Sequence, residues 1–335
     1  MQNKSEKKPS RRFPGAKRVR TSSVEAWLEA RRLQVGASEA AALLGLSPWQ
    51  SLYSLWAIKA GVMEAPKLES RRLQRGHRYE LPIIEEVRER NPTWKIEPWP
   101  QAHLLVSETL PLACTPDCVV TDDDGLALGQ IKTANEWSKK DWENEPPSYY
   151  QTQVQAELLV TGLERAYLFV MFGLSDEVEV IPVERHAGFC EVLTAKAKEF
   201  WAMVESKTAP PTDGSAATLA ALASIYAEPD DTAIRLDEAA EVYIAAYEQA
   251  KTTRLDAEKS EKAAKAQLLE AIGANTYAAT SCGANYSCKA QTSRRLDSKR
   301  LREDHPELAD EYTTETTYRV LRSCKAIPEN ITYAE

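Results

Sequence analysis

Histidine and paired cysteine are scarce in this 335-residue chain, and their scarcity narrows its chemistry. It has four histidines and six cysteines (Cys114, Cys118, Cys190, Cys282, Cys288, Cys324), with no C-x-x-C pair and no histidines at zinc spacing. That pattern argues against a structural zinc or a four-cysteine iron–sulfur cluster, and reduced thiols are expected. No apolar run approaches the roughly 20 residues of a membrane span. The basic N-terminus also lacks the apolar segment of a secretory signal, so cytoplasmic residence is expected. Positive charge is in deficit too, with a net charge of −8. The deficit is uneven. Residues 1–20 carry eight Lys and Arg against Glu6, a net of +7, and the remainder is near −15. A basic segment of this kind is expected to be a disordered tail, able to hold phosphates weakly and without sequence preference.

The length suits more than one domain. Ser22 with Glu25 has the form of a capping box and opens a helix through Trp27, Leu28 and Leu33. Ser38 is placed to cap a short helix, Ala40 to Leu44. Ser47-Pro48 opens a third that runs to Gly61. Arg31 and Ser38 are thereby close in sequence, and a helix N-terminus with a hydroxyl and a guanidinium is a ready anion site. A helix is expected over Ser70 to Arg90, carrying His77 and Glu80 before Pro82. Strands follow from Thr93 to Val120. A helix from Ser148 to Val160 sets Tyr150, Val154 and Leu158 on a buried stripe and leaves Gln153 off it. Arg165 to Phe172 and Glu177 to Arg185 read as a strand pair, and Phe189 to Ser206 as a helix. Strands mixed with flanking helices give an α/β (α+β) core. The loop 209–215 marks a boundary. Beyond it come a long helix from Leu236 to Ile272, two short β segments near Tyr277 and Tyr286, a charged helix near 300–312 and a strand at 318–321.

The most informative stretch is Cys114 to Lys132. Val119-Val120, then Asp122-Asp123-Asp124-Gly125, then Leu126, Leu128 and Ile131 form a β-hairpin pattern. Gln130 and Lys132 share a face while Ile131 points into packing, and Asp117 falls opposite Gln130 or Lys132 depending on the turn. An acid, a polar oxygen carrier and a lysine on one patch suit a Mg²⁺-dependent phosphodiesterase.

Asp117, a spacer, then Gln130-Ile131-Lys132 matches the PD-(D/E)xK nuclease signature except that Gln130 stands where Glu is expected. Residues from about Trp27 to Lys207 resemble the lambda exonuclease-type phage nucleases, also called YqaJ-like viral recombinases. The matching stretches are 31–39, 75–80, 113–117, 130–132 and 150–155. The resemblance implies a restriction-endonuclease-like core, a central mixed sheet flanked by helices, over residues 22–207. Around it would lie a tail at 1–21, a linker at 208–235 and a helical and β accessory unit at 236–335.

In activity, the resemblance implies a 5′-to-3′ exonuclease that digests one strand of linear duplex DNA for a phage single-strand annealing protein, often as a trimeric ring. Asp117, Gln130 and Glu80, with the Ile131 backbone carbonyl, correspond to ligands of Mg²⁺ (Mn²⁺ as a substitute). Lys132 corresponds to the catalytic lysine. Arg31, Ser38, Gln153 and Tyr150 correspond to the groups around the 5′-phosphate and DNA. A neutral amide is a poorer Mg²⁺ ligand than a carboxylate, so Gln130 implies weakened cleavage with end binding retained. Two other readings stand beside this one: a non-catalytic DNA-end-binding protein, and another nuclease of the superfamily acting in repair or restriction.

Overall fold

The computed structural model describes residues 12–66, 71–173, 177–228, 230–315, 319–327 and 331–333. Two compact units divide the chain, Met1–Tyr226 and Ala227–Glu335. In order, the first holds β1 (Ala16–Arg20), α1 (Val24–Arg32), β2 (Val35–Gly36), a 3-10 turn (Ala37–Glu39), α2 (Ala40–Leu43), α3 (Leu52–Lys59) and α4 (Arg71–Arg90). Strands β3 (Lys95–Pro98), β4 (His103–Ser107), β5 (Leu112–Cys114), β6 (Cys118–Asp122) and β7 (Gly125–Ala134) come next. A 3-10 turn (Glu136–Trp142), α5 (Ser148–Thr161), β8 (Arg165–Phe172), β9 (Val178–Glu184), α6 (Ala187–Glu205) and α7 (Ala216–Ile225) complete the unit. The second unit contains α8 (Glu238–Ile272), the hairpin β10 (Tyr277–Ala279) with β11 (Asn285–Ser287), α9 (Ser298–Asp304) and α10 (Pro306–Glu311).

Five strands in the order β3-β6-β7-β8-β9 form the central sheet. Its neighbours are antiparallel except β7 and β8, which run parallel. A parallel pair needs a crossover, and α5 lies in the connection. Strand alternation then sorts the residues to two faces. Val119, Leu128, Leu168, Val170 and Phe172 join a core with Val154 and Leu158 of α5 and Leu193 and Phe200 of α6. Cys118, Val120, Ala127, Ile131, Phe169 and Met171 join another with Ile83, Ile84 and Val87 of α4. The sheet is thus mixed and covered by helices on both sides, the α/β arrangement expected of a restriction-endonuclease-like core. A smaller sheet, β1-β4-β5-β2, lies in the same unit.

Several local expectations are corrected. Residues 16–20, expected in a disordered tail, form β1 against β4, from Ala16↔Ser107 to Arg20↔His103. Phe13 is buried and meets Trp99 edge-on at 5.5 Å, while Arg12 pairs with Glu97 at 2.6 Å. Buried anchors and ladder bonds outweigh the repulsion of a basic segment. Ser23, not Ser22, caps α1 by accepting from Ala26 N. Helix α3 begins after Ser51 rather than at Pro48, because Ser51 and Ser54 each accept from the other's backbone N–H. Ser38 sits inside the 3-10 turn and caps nothing; Glu39 reaches back to Gly36 N instead. Helix α7 occupies part of the expected linker, pinned by Thr218 Oγ1 donating to Ser51 Oγ at 2.7 Å. The charged helix near 300–312 is two helices broken at His305-Pro306, and residues 319–321 are not a strand. Ser70 and Tyr318 lie outside the described residues. No described helix is long and apolar enough to cross a membrane.

Candidate active site

The β6–β7 hairpin closes at Asp122↔Gly125, with Asp123-Asp124 at its tip and Gly125 at φ +108°. Asp122 is held by Arg165 at 2.7 Å and by the Tyr167 hydroxyl at 2.6 Å. Those bonds, Arg165 foremost, pull its carboxyl down to about 2. Asp122 therefore belongs to the structural turn. At the other end the ladder's last pair is Cys118↔Gly129. A Cβ on Gly129 would meet Cys118 Sγ at 2.3 Å, so only glycine lets the strands close there.

One step beyond that pair, Asp117 faces Gln130. Gln130 Nε2 donates to Asp117 Oδ2 at 2.6 Å, and Ile131 N donates to the same oxygen at 2.7 Å. Gln130 is 4% exposed, and its Oε1 is buried without a partner among the described residues. Burial pushes the Asp117 carboxyl up to about 6, and the Glu80 charge adds to that, while Lys132 and the Ile131 N–H oppose it. Lys132, on the same face as Gln130, donates Nζ to Gln153 Oε1 at 3.1 Å and lies 5.1 Å from the Tyr150 ring centroid. Glu80, on α4, places its Oε1 2.8 Å from His77 Nδ1.

Of the residues expected around a 5′-phosphate, Arg31 and Ser38 meet each other. Arg31 Nη2 donates to Ser38 Oγ at 2.6 Å, with the guanidinium 5.1 Å from the Trp27 ring. Gly36 makes room for it: a Cβ there would stand 3.0 Å from Arg31 Nε. Trp27 Nε1 reaches Thr115 Oγ1 at 3.4 Å, linking α1 to the loop that carries Asp117.

Sequence reasoning missed the supports of this site. Beneath Arg31, buried Lys59 donates to Glu39 at 2.8 Å and to the Arg31 carbonyl at 3.2 Å. Burial lowers the Lys59 pKa, and Glu39 opposes the shift. Also missed was Glu157, whose Oε1 accepts from Gln153 Nε2 at 3.0 Å. A carboxylate four residues after Gln153 in an otherwise apolar stretch, Ala156 to Val160, was the available signal.

The oxygen donors assigned to Mg²⁺ by resemblance are of the right hard type. As arranged, however, the Gln130 amide nitrogen and the Ile131 N–H both close on the Asp117 oxygen facing them. Glu80 is engaged by His77. Among the described residues no group of three His, Cys, Asp or Glu side chains is placed to hold a metal ion. These residues do not fit a tightly held Mg²⁺. The reason is chemical, because Gln130 brings a hydrogen-bond donor where a second carboxylate would bring charge.

An acid, an amide and a lysine at the end of a sheet hairpin, inside a helix-flanked mixed sheet, follow the PD-(D/E)xK pattern expected from the sequence, with one altered position. Residues 26–164 match the family model of the YqaJ-like viral recombinase domain. The chain is 28% identical over 312 residues to YqaJ of Bacillus subtilis (strain 168), covering 89% of this chain and 93% of that protein. Similar solved structures include the alkaline exonuclease LHK-Exo of Laribacter hongkongensis, 20% identical, with 55% of this chain and 94% of that chain covered at a TM-score of 0.46. A phage related exonuclease from Haemophilus somnus 129PT is 9% identical, with 53% and 97% covered at a TM-score of 0.40.

Proposed function

We propose that this protein is a phage-type recombination exonuclease of linear duplex DNA that grips 5′-phosphorylated ends and, with Gln130 in place, cleaves them weakly. The supporting observation is that Lys132 beside Asp117 and Gln130 is bonded to Gln153, while the Arg31–Ser38 pair is tied through Trp27 and Thr115 to the Asp117 loop. A positive anchor for a terminal phosphate next to a hydrolytic patch fixes which bond lies over that patch. The proposed direction is 5′ to 3′, with Mg²⁺ or Mn²⁺ required, and the 3′ overhang passes to a single-strand annealing protein. A trimer of the chain is proposed as the working form, in the cytoplasm. The nuclease unit is proposed to run on through α7.

A second reading, a DNA-end-binding protein without catalysis, is favoured by the bond that closes Gln130 on Asp117. Linear and circular duplexes incubated with Mg²⁺ separate the readings. Gln130→Glu is expected to degrade linear DNA from 5′-phosphorylated ends at least tenfold faster than the wild type and to leave closed circles intact. Equal rates for the two proteins would refute the account of position 130, and cutting of circles would point to a repair or restriction nuclease. In the Gln130→Glu background, Arg31→Ala is expected to slow digestion of 5′-phosphoryl ends more than of 5′-hydroxyl ends, by the roughly 1.5–3 kcal/mol of a charge-assisted hydrogen bond.

A further inference from the structure

The side-chain amide of Gln153 is held from both ends. Lys132 Nζ donates to its Oε1 at 3.1 Å, and its own Nε2 donates to Glu157 Oε1 at 3.0 Å. An ammonium only donates, so the amide oxygen must face Lys132 and the nitrogen must face an acceptor. Glu157, one helical turn along α5, supplies that acceptor. It is 1% exposed, and its Oε2 has no partner among the described residues. Burying a carboxyl this way is unfavourable, and the core packed around α5 makes no use of it. An apolar side chain would pack better, which points to a role in the site above.

We infer that Glu157 is a positioning residue, which fixes the Gln153 amide so that its second Nε2 hydrogen is presented to a phosphoryl oxygen of the DNA 5′ end. The inference rests on the reading of Gln153 as a phosphate contact. Nε2 carries two hydrogens, and Glu157 takes one. The nitrogen is thereby kept from rotating toward Lys132, where two donors would face each other. Burial pushes the Glu157 carboxyl up to about 8, so at neutral pH it is mainly uncharged and does not repel a phosphate overhead.

The test uses the full chain without metal, in EDTA, and measures by fluorescence anisotropy the ratio of affinities for short duplexes with 5′-phosphoryl and 5′-hydroxyl ends. Glu157→Leu is expected to lower that ratio by about tenfold, the equivalent of one hydrogen bond. Its Tm is expected to hold or rise, because an apolar side chain replaces a buried carboxyl. Glu157→Gln, which keeps an acceptor oxygen at the same reach, is expected to retain the ratio within about twofold. Glu157→Asp draws the oxygen back by one methylene and is expected to lower it. A wild-type preference that survives in both Glu157→Leu and Glu157→Asp overturns the positioning role alone. A wild-type ratio of one overturns the phosphate-pocket reading and the inference with it.

Discussion

Glu157 makes the site's clearest statement about pH at the scale of single residues. Its carboxyl is raised from an ordinary 4.5 to about 8 and that of Asp117 from 3.8 to about 6, burial being the first cause of both. A raised folded-state value means that the folded protein keeps a proton which the unfolded chain has already released. Stability is therefore greatest below the unfolded values and declines as pH rises toward the folded ones. The Asp117 contribution is largely exhausted near pH 6, so between pH 6 and 8 the decline belongs mainly to Glu157. Urea unfolding at those two pH values should show the wild type losing up to roughly 2–3 kcal/mol, and Glu157→Gln losing markedly less. Parallel losses in both proteins would mean that Glu157 is ionised at pH 6. At this scale what could be read from the sequence is which polar residues lie together. Asp117, Lys132, Arg31, Ser38 and Gln153 fall into bonded pairs or close company. Glu157, Glu39 and Lys59 were not legible, because their roles come from being buried beneath those groups, and burial of a charged residue is a tertiary property.

The hairpin depends, as an element, on a residue that does no chemistry. Gly129 lies between Leu128 in one core and Gln130 at the site, where Cys118 Sγ occupies the space a Cβ would need and Phe169 stands 3.1 Å away. Gly129→Ala should push β6 from β7 and cost about 1–3 kcal/mol by overpacking. Cys118→Ala in the same protein should return part of that loss, giving a favourable coupling energy in a double-mutant cycle of chemical denaturation midpoints. Strictly additive effects would place the strain elsewhere. The turn that starts this hairpin could be read directly, since Asp-Asp-Asp-Gly admits few other conformations. The start of α3 could not. Ser47-Pro48 carries the stronger conventional signal, yet Ser51 and Ser54 build a reciprocal cap from two serines, and Ser51 also receives Thr218 from a helix far along the chain. Strand β1 was hidden for a related reason: its composition is that of a solvated tail, and only the partner strand β4 makes it a strand.

For the molecule as a whole, the place where the first unit ends decides what can be separated from it. The Pro-rich loop 209–215 looks like the boundary by composition, but the chain returns after it to dock α7. Thr218 is fully buried and bonded to both Ser51 and Asp213, and Ala221 is 2% exposed in the same core as α3 and α6. A cut in the loop would leave α7 attached through these contacts, whereas the described residues between Tyr226 and Ala233 are exposed, and Ala233 then pairs with Tyr333. Limited digestion with proteinase K, followed by intact-mass measurement, should therefore yield a first stable fragment ending between Tyr226 and Ala233. Thr218→Val removes the hydroxyl bonded to Ser51 and Asp213, a change expected to cost about 1–3 kcal/mol locally. In that variant cleavage should move to the 208–215 loop with α7 released. A wild-type fragment that instead ends near Lys207 would make α7 a passenger of the second unit and return the boundary to the one that composition suggests.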